Sequence, residues 1–258
     1  MTHPDSLPHR LERTVLIRAE PERVFRFFTD SDRWAAWWGT GSTIEARPGG
    51  RLLIRFPEGT EVSGEVVELI APQRIVFTYG FVSGAPIPPG GSLVTIHLAE
   101  QSGATLLSLS HDFADPTVRD EFQQGWRYQL SLFANVVLNE LHAKAGDTID
   151  GWFAAWSEAE TGARETTLAR LVTANVHFRD RFSSIEGMAD LRAHLAAVHR
   201  FMPGVGIRRD GVVRHCQGTV LADWVARMAD GSERGRGTNV FVLNAAGQIE
   251  AVTGFWNA

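Results

Sequence analysis

Cysteine, lysine and long apolar runs are all scarce in this chain. Of 258 residues one is cysteine, Cys216, so an internal disulfide is excluded and no second thiol is present to share a metal. A reducing, cytoplasmic setting fits that usage. No stretch approaches the roughly eighteen uninterrupted apolar residues of a membrane span, and the first residues lack the basic patch and apolar core of a secretion signal. With 25 basic against 30 acidic side chains, a net charge of −5 and a pI near 6.0, the chain has no basic field to gather phosphates. Neither nucleic acid nor a membrane is therefore an expected partner. Lys144 is the one lysine, a bias that reads as the codon usage of a GC-rich genome rather than as chemistry.

Motifs that hold cofactors are missing as well. Gly49 with Gly50, and Gly90 with Gly91, lack the strand-loop-helix surroundings of a phosphate loop. The sequence has no HExxH, no Cys and His pairing at ligand spacing and no GxSxG elbow. No nucleotide cofactor, metal or serine nucleophile is expected.

What is present is apolar and aromatic: 44% of residues are hydrophobic, with 8 Trp and 15 Phe, enough for two domains or one large one. RTVLIRA (13–19) alternates as a strand, and Pro21 sits where a first helical position tolerates it, opening PERVFRFFTD. After the aromatic segment DRWAAWWG, the period-two runs RLLIRF, EVSGEVVELI, RIVFTYGF, SLVTIHLA and ATLLSLSH read as an antiparallel meander. Val118, Phe122, Trp126, Leu130, Phe133, Val137 and Leu141 then recur every three or four positions, which predicts one amphipathic helix over 115–142, about 42 Å long. The pattern restarts near 145, with Asp147 as N-cap of TIDGWFAAWSEAE. A helix ARETTLARLVT, a strand VHFRDRF, a helix GMADLRAHLAAVHRF and four strands bounded by Asp-Gly, Asp-Gly and AAGQ turns follow. The predicted class is α+β in two domains, 1–145 and 146–258, each a curved antiparallel sheet packed on helices.

The Trp37-Trp38-Gly39 run, PGGRLLIRF, GEVVELIAPQRIVFTY, His111 at a strand end and Gly125 with Trp126 occur together in one order. On these, residues 11–142 resemble the bacterial homologues of the activator of the ninety-kilodalton heat-shock protein ATPase, in the START and polyketide-cyclase (SRPBCC) superfamily. The resemblance implies a helix-grip fold. WFAAWSEAE, the strand with Asp180, Gly187 before a helix, GTVLADW and the DGSERGRGTNVFVL to GQIEAVTGFW hairpin resemble SnoaL-like, nuclear-transport-factor-two-like domains, which implies a cone of sheet capped by helices. Both folds carry many activities, so neither settles function.

In the first domain Phe56, Phe77 and Tyr79 share inward strand parity, and Trp126 and Phe133 lie on the helix stripe that meets them. Together with His111 they are expected to line an apolar cavity, with the Tyr79 hydroxyl and the imidazole as polar handles; the competing reading is that they fill the core. Trp37 and Trp38 either gate the entrance or form a packed corner. In the second domain Asp180 lies between Phe178 and Phe182 on one strand face, where desolvation would suit it to general-base work. The alternative is an ion pair with Arg179, Arg181 or a distant arginine. His215 and Asn239 are candidate catalytic partners, Asn239 as donor to an enolate. His194, Trp156 and Trp224 are candidate lining residues, although His194 and His199 also read as boundary positions of a helix whose core side is Leu191, Leu195, Val198 and Met202. The leading expectation is a binder of small, mostly apolar molecules, one pocket per domain. One rival is a cofactor-free cyclase, isomerase or dehydratase using Asp180; another is a chaperone-linked or dimerising scaffold. A homodimer through the second sheet's outer face, with Val240 and Val242 opposite Phe241, is also expected.

Overall fold

The computed structural model describes residues 7–257. They form two compact units that divide between Leu138 and Asn139, inside the long helix rather than after it.

The first unit begins with β1 (His9–Ile17), α1 (Pro21–Phe25), a single 3-10 turn over Arg26–Phe28 and α2 (Ser31–Trp38). Strands β2 (Thr43–Ile44), β3 (Arg51–Arg55), β4 (Glu61–Ile70), β5 (Arg74–Phe81), β6 (Ser92–Gln101) and β7 (Ala104–Phe113) follow, and then α3 (Pro116–Leu141). The sheet order is β1-β7-β6-β5-β4-β3-β2, antiparallel throughout. β1 starts earlier than its hydrophobic pattern predicts because pairing with β7 extends from His9 opposite Phe113 to Ile17 opposite Thr105. The Asp30 carboxylate accepts the Arg33 N–H at 3.0 Å and caps α2. Spacing of three and four then turns Trp34, Trp37 and Trp38 onto one buried face. Leu52, Ile54, Ile75, Phe77 and Tyr79 alternate inward from the sheet, and Trp126, Leu130, Phe133 and Val137 supply the buried stripe of α3.

The second unit contains α4 (Ala145–Ser157), α5 (Thr161–Leu171), β8 (Val172–Arg179), β9 (Ser184–Glu186), α6 (Gly187–Phe201) and the strands β10 (Gly206–Cys216), β11 (Thr219–Arg227), β12 (Glu233–Leu243) and β13 (Ile249–Trp256). Its sheet runs β10-β11-β12-β13-β8-β9. β13 pairs with β8 in parallel, so this sheet is mixed rather than purely antiparallel. Lys144 occupies the N-cap position of α4 without a side-chain capping bond, and Asp147 sits in the first turn instead, where its charge complements the helix dipole. Ile149, Trp152, Phe153 and Trp156 form the core face of α4.

Two sequence expectations are corrected. The first Asp-Gly pair is not a turn: β10 runs through Asp210 and Gly211, with a register shift between Asp210 and Arg214 and Gly211 at φ +85°, a bulge only glycine adopts at low cost. The reversal comes at Gln217 and Gly218, both at positive φ, as a two-residue hairpin turn of the primed kind requires. Phe182 is not buried. β8 ends at Arg179, Asp180 N–H donates to Ser183 O at 2.9 Å to close a turn, and the strand parity that would have buried Phe182 no longer applies.

Packing density yields a direct test. Phe133 is fully buried and touches Phe27, Phe28 and Trp37 at centroid distances of 4.8–5.9 Å, whereas Phe182 is 69% exposed. Phe133→Ala should cost about 3–5 kcal/mol, and Phe182→Ala about 0.5 kcal/mol or less, measured by urea unfolding.

Candidate functional site

The second unit carries a cavity of about 50 Å³ bounded by α4 on one side and the sheet on the other. Trp152, Phe153 and Trp156 of α4, Phe178 of β8 and Trp224 of β11 give it an aromatic wall, to which Ile207 of β10 adds an aliphatic side chain. Asn239, Gly254, Trp256 and Asp180 complete the lining. Register explains the polar corner: Asn239 of β12 lies opposite Gly254 of β13, and Thr253 is paired with Arg179, the residue before Asp180. Three chain segments therefore bring an amide and a carboxylate to either side of one glycine. A Cβ on Gly254 would sit 3.1 Å from Asn239 Oδ1 and 3.2 Å from Asp180 Cβ.

The hydrogen bonds fix what these groups offer. Trp224 Nε1–H donates to Asn239 Oδ1 at 2.9 Å; an indole can only donate, so the amide orientation is determined and its NH2 remains a donor. The Asp180 carboxylate accepts from Phe182 N–H at 2.8 Å and from Trp256 Nε1–H at 3.1 Å. No ion pair to Asp180 is present among the described residues; Arg181 instead stacks over Phe182, 5.0 Å from its centroid. Asp180 is half-buried, just past the end of β8 rather than within it. Phe182 stands outside the cavity and meets Trp256 edge-on at 5.4 Å. His194 of α6 packs on Trp156 and Phe178, at 5.6 and 6.1 Å. Its burial lowers its pKa, and the negative charge of Asp180 acts in the opposite direction.

His215 is not brought to Asp180. Near the end of β10 it contacts His142 Nδ1 through Nε2 at 3.1 Å and Asn139 through Nδ1, while His142 Nε2–H donates to Asn244 O at 3.0 Å. The catalytic role expected for His215 is therefore not supported by position. Trp152, Phe153, Ile207, Gly254 and Trp256 were not foreseen. The first two lie four and three residues before Trp156 on one helix face, a signal the sequence contained; the last three need the strand register.

In the first unit the expected lining residues pack on one another. Trp37 and Trp38 form a buried corner with Trp34, and Trp38 is capped by Phe56 at 5.7 Å. Phe77 meets Trp34 at 5.8 Å, and Tyr79 meets His111 at 5.2 Å. Trp126 Nε1–H donates to His111 Nδ1 at 3.0 Å. That donor-only partner leaves the neutral ring its proton on Nε2, 2.8 Å from Ser92 Oγ, and Ser92 in turn donates to Tyr79 O at 2.8 Å. Both imidazole nitrogens are thus engaged, and burial lowers the His111 pKa to about 3. An imidazole in that tautomer cannot take the Ser92 proton, so Ser92 and His111 do not form a nucleophile-base pair, and His111 has no free valence for a ligand.

Residues 18–137 match the family model for Activator of Hsp90 ATPase homolog 1-like proteins, a stretch lying within the first unit. Among solved structures, a SnoaL-like family protein from Agrobacterium tumefaciens is 24% identical, with 46% of this chain and 99% of that one covered and a TM-score of 0.42. Protein CV1439 from Chromobacterium violaceum is 28% identical over 50% of this chain and 96% of its own, at TM-score 0.41. The Aha1 dimer from Colwellia psychrerythraea is 18% identical, covers 47% and 90%, and has a TM-score of 0.42. No curated protein matches the sequence. The chain resembles the activator family over its first unit, and a SnoaL-like protein is among its structural neighbours.

The His111 relay sets a pH dependence. The folded imidazole stays neutral down to about pH 3, while an unfolded one titrates near 6.5. Between those values the unfolded chain binds the extra proton, so this residue makes stability fall as pH drops below 6.5, with the loss complete near pH 3. Replacing His111→Gln removes that contribution. The stability advantage of wild type over the variant should shrink by up to about 1.4 kcal/mol per pH unit below 6.5; urea unfolding at pH 7.5, 6.0 and 5.0 reads this difference.

Proposed function

We propose that the protein binds small, mostly apolar molecules through the second unit, and that one end of the ligand enters the cavity while the remainder lies at its mouth. The observation that carries this reading is the meeting of Asp180 and Asn239 across Gly254 above an aromatic wall. Magnitude shapes it further. Drug-sized ligands occupy roughly 300–1,000 Å³, and an apolar cavity of about 150 Å³ holds a benzene ring. About 50 Å³ takes an end group, not a whole steroid or polyketide. The carboxylate can accept from a ligand hydroxyl and the Asn239 NH2 can donate to a carbonyl, so the favoured ligand carries such a group at its narrow end.

The catalytic version of the same reading gives Asp180 the role of base toward a proton beside a carbonyl held by Asn239, without a cofactor. Asp180→Asn should then abolish turnover by about 10² or more while leaving binding and folding intact. A homodimer is proposed through the outer face of the second sheet, where the half-buried Leu221 and Val240, and Thr219 and Val242, are cross-strand pairs. Val240→Arg should convert it to a species of about 28.4 kDa by light scattering.

Native mass spectrometry of protein incubated with a bacterial metabolite extract tests binding. Wild type should retain a small-molecule mass. Gly254→Ala, which places a methyl between Asp180 and Asn239, should lose it or weaken it about tenfold or more while the melting temperature changes by only a few degrees. No retained mass, or one that Gly254→Ala leaves unchanged, contradicts the reading.

A further inference from the structure

A second concavity, independent of that cavity, lies on the opposite face of the same sheet. It is an open groove of about 260 Å³ where β10 begins and β11 ends, lined by Gly204, Gly206, Arg208, Val225, Arg227 and Met228. Register builds it. Gly206 is opposite Arg227 and Arg208 is opposite Val225, and Arg236 of β12 flanks Val225 on the other side. Directly opposed residues share a face, whereas their neighbours Trp224 and Ala226 belong to the core. Val225 is 2% exposed yet lies outside that core, a position where arginine stems and Met228 serve as its cover.

The charges around the groove are unequal. Glu233 holds Arg236 with two contacts of 2.8 Å and reaches Arg227 only at 3.9 Å; Arg227 also donates to Gly231 O at 3.0 Å. Arg208 makes no ion pair or side-chain hydrogen bond among the described residues. Asp210, the one acid further along the same face of β10, forms no ion pair with any of the three arginines. One carboxylate therefore serves two guanidiniums, and a third, solvent-exposed cation, Arg208, is left over within about 7–8 Å of Arg227 measured at the backbone. The glycines leave the approach open: a Cβ on Gly206 would meet nothing nearer than Arg227 O at 4.0 Å. The floor, Val225 and Met228, is apolar.

We infer that this groove binds a small molecule bearing one anionic group, a carboxylate or a phosphate, on an apolar body. The planar forks of Arg208 and Arg227 would share the oxygens, since guanidinium matches either anion in two-point contact, and the apolar body would lie over Val225 and Met228. The three guanidiniums on adjacent strands repel one another; Glu233 and the more distant charge of Asp210 offset part of that repulsion, and the ligand's charge relieves more of it. The inference does not rest on the cavity beneath α4.

Amide and arginine Nε–H NMR spectra at low salt, with sodium octanoate and inorganic phosphate titrated separately, test it. Saturable shifts should appear at Gly204, Gly206 and Arg208. Arg208→Gln should raise the dissociation constant about tenfold or more, whereas Arg192→Gln on α6 should leave it unchanged. Saturation by octanoate alone assigns a carboxylate amphiphile, by phosphate alone a phosphate-bearing ligand, and by both an anion site indifferent to the head group. Shifts that stay linear for both probes, or saturation that survives both Arg208→Gln and Arg227→Gln with the remaining spectrum unchanged, overturn the proposal.

Discussion

The parallel pairing of β13 with β8 is the contact on which the second unit's cavity depends. β8 and β13 are the unit's first and last strands, and a parallel neighbour cannot be reached by a tight turn; β9, α6 and the strands β10, β11 and β12 make the return. Because the two strands run the same way, their C-terminal ends finish together. Asp180, just past β8, and Trp256, at the end of β13, therefore lie within a 3.1 Å hydrogen bond. The antiparallel partner β12 adds Asn239 opposite Gly254. A slip of one residue in either pairing would turn Asn239 or Trp256 to the far face, and the amide, the carboxylate and the aromatic wall would no longer share a space.

The two units spend their aromatic residues differently. Of eight tryptophans, Trp34, Trp37, Trp38 and Trp126 stack into the first core, and Trp152, Trp156, Trp224 and Trp256 all line the second unit's cavity. In the first unit Trp126, His111, Ser92 and the Tyr79 carbonyl form a closed relay and Gln129 donates to Trp37 O, although Trp38 Nε1–H is buried without a partner. In the second, Asn239 and Asp180 keep bonding capacity after their internal partners are counted. A buried polar group that is fully paired rigidifies a core; one left with capacity beside a cavity is available to a ligand.

Much of this arrangement was legible in the residues. Periods of two and three-to-four located the meander, the long helix and the four closing strands, and the aromatic positions marked both cores. Two kinds of information were not. Where a strand stops is set by hydrogen bonds rather than by side-chain alternation: VHFRDRF alternates without a break, yet the turn from Asp180 to Ser183 ends the ladder and exposes Phe182. Which residues meet across a sheet is set by register, so Gly254 and Trp256 could not be joined to Asn239 and Asp180 from spacing alone. For the same reason His215 looked like a partner of Asp180, although it is tied to His142 and Asn139. That His111 would be bonded at both ring nitrogens could not be read from spacing either, because it depends on Trp126 lying at Nδ1 and Ser92 at Nε2.

The even division of tryptophans makes the central claim open to one measurement. In a two-dimensional spectrum of the indole N–H groups, titrated with acetophenone as an apolar probe carrying a carbonyl, the resonances of Trp152, Trp156, Trp224 and Trp256 should shift together and saturate, while those of Trp34, Trp37, Trp38 and Trp126 stay in place. Shifts confined to the first unit's indoles, or no saturable shift in any of the eight, would contradict the assignment of ligand binding to the second unit.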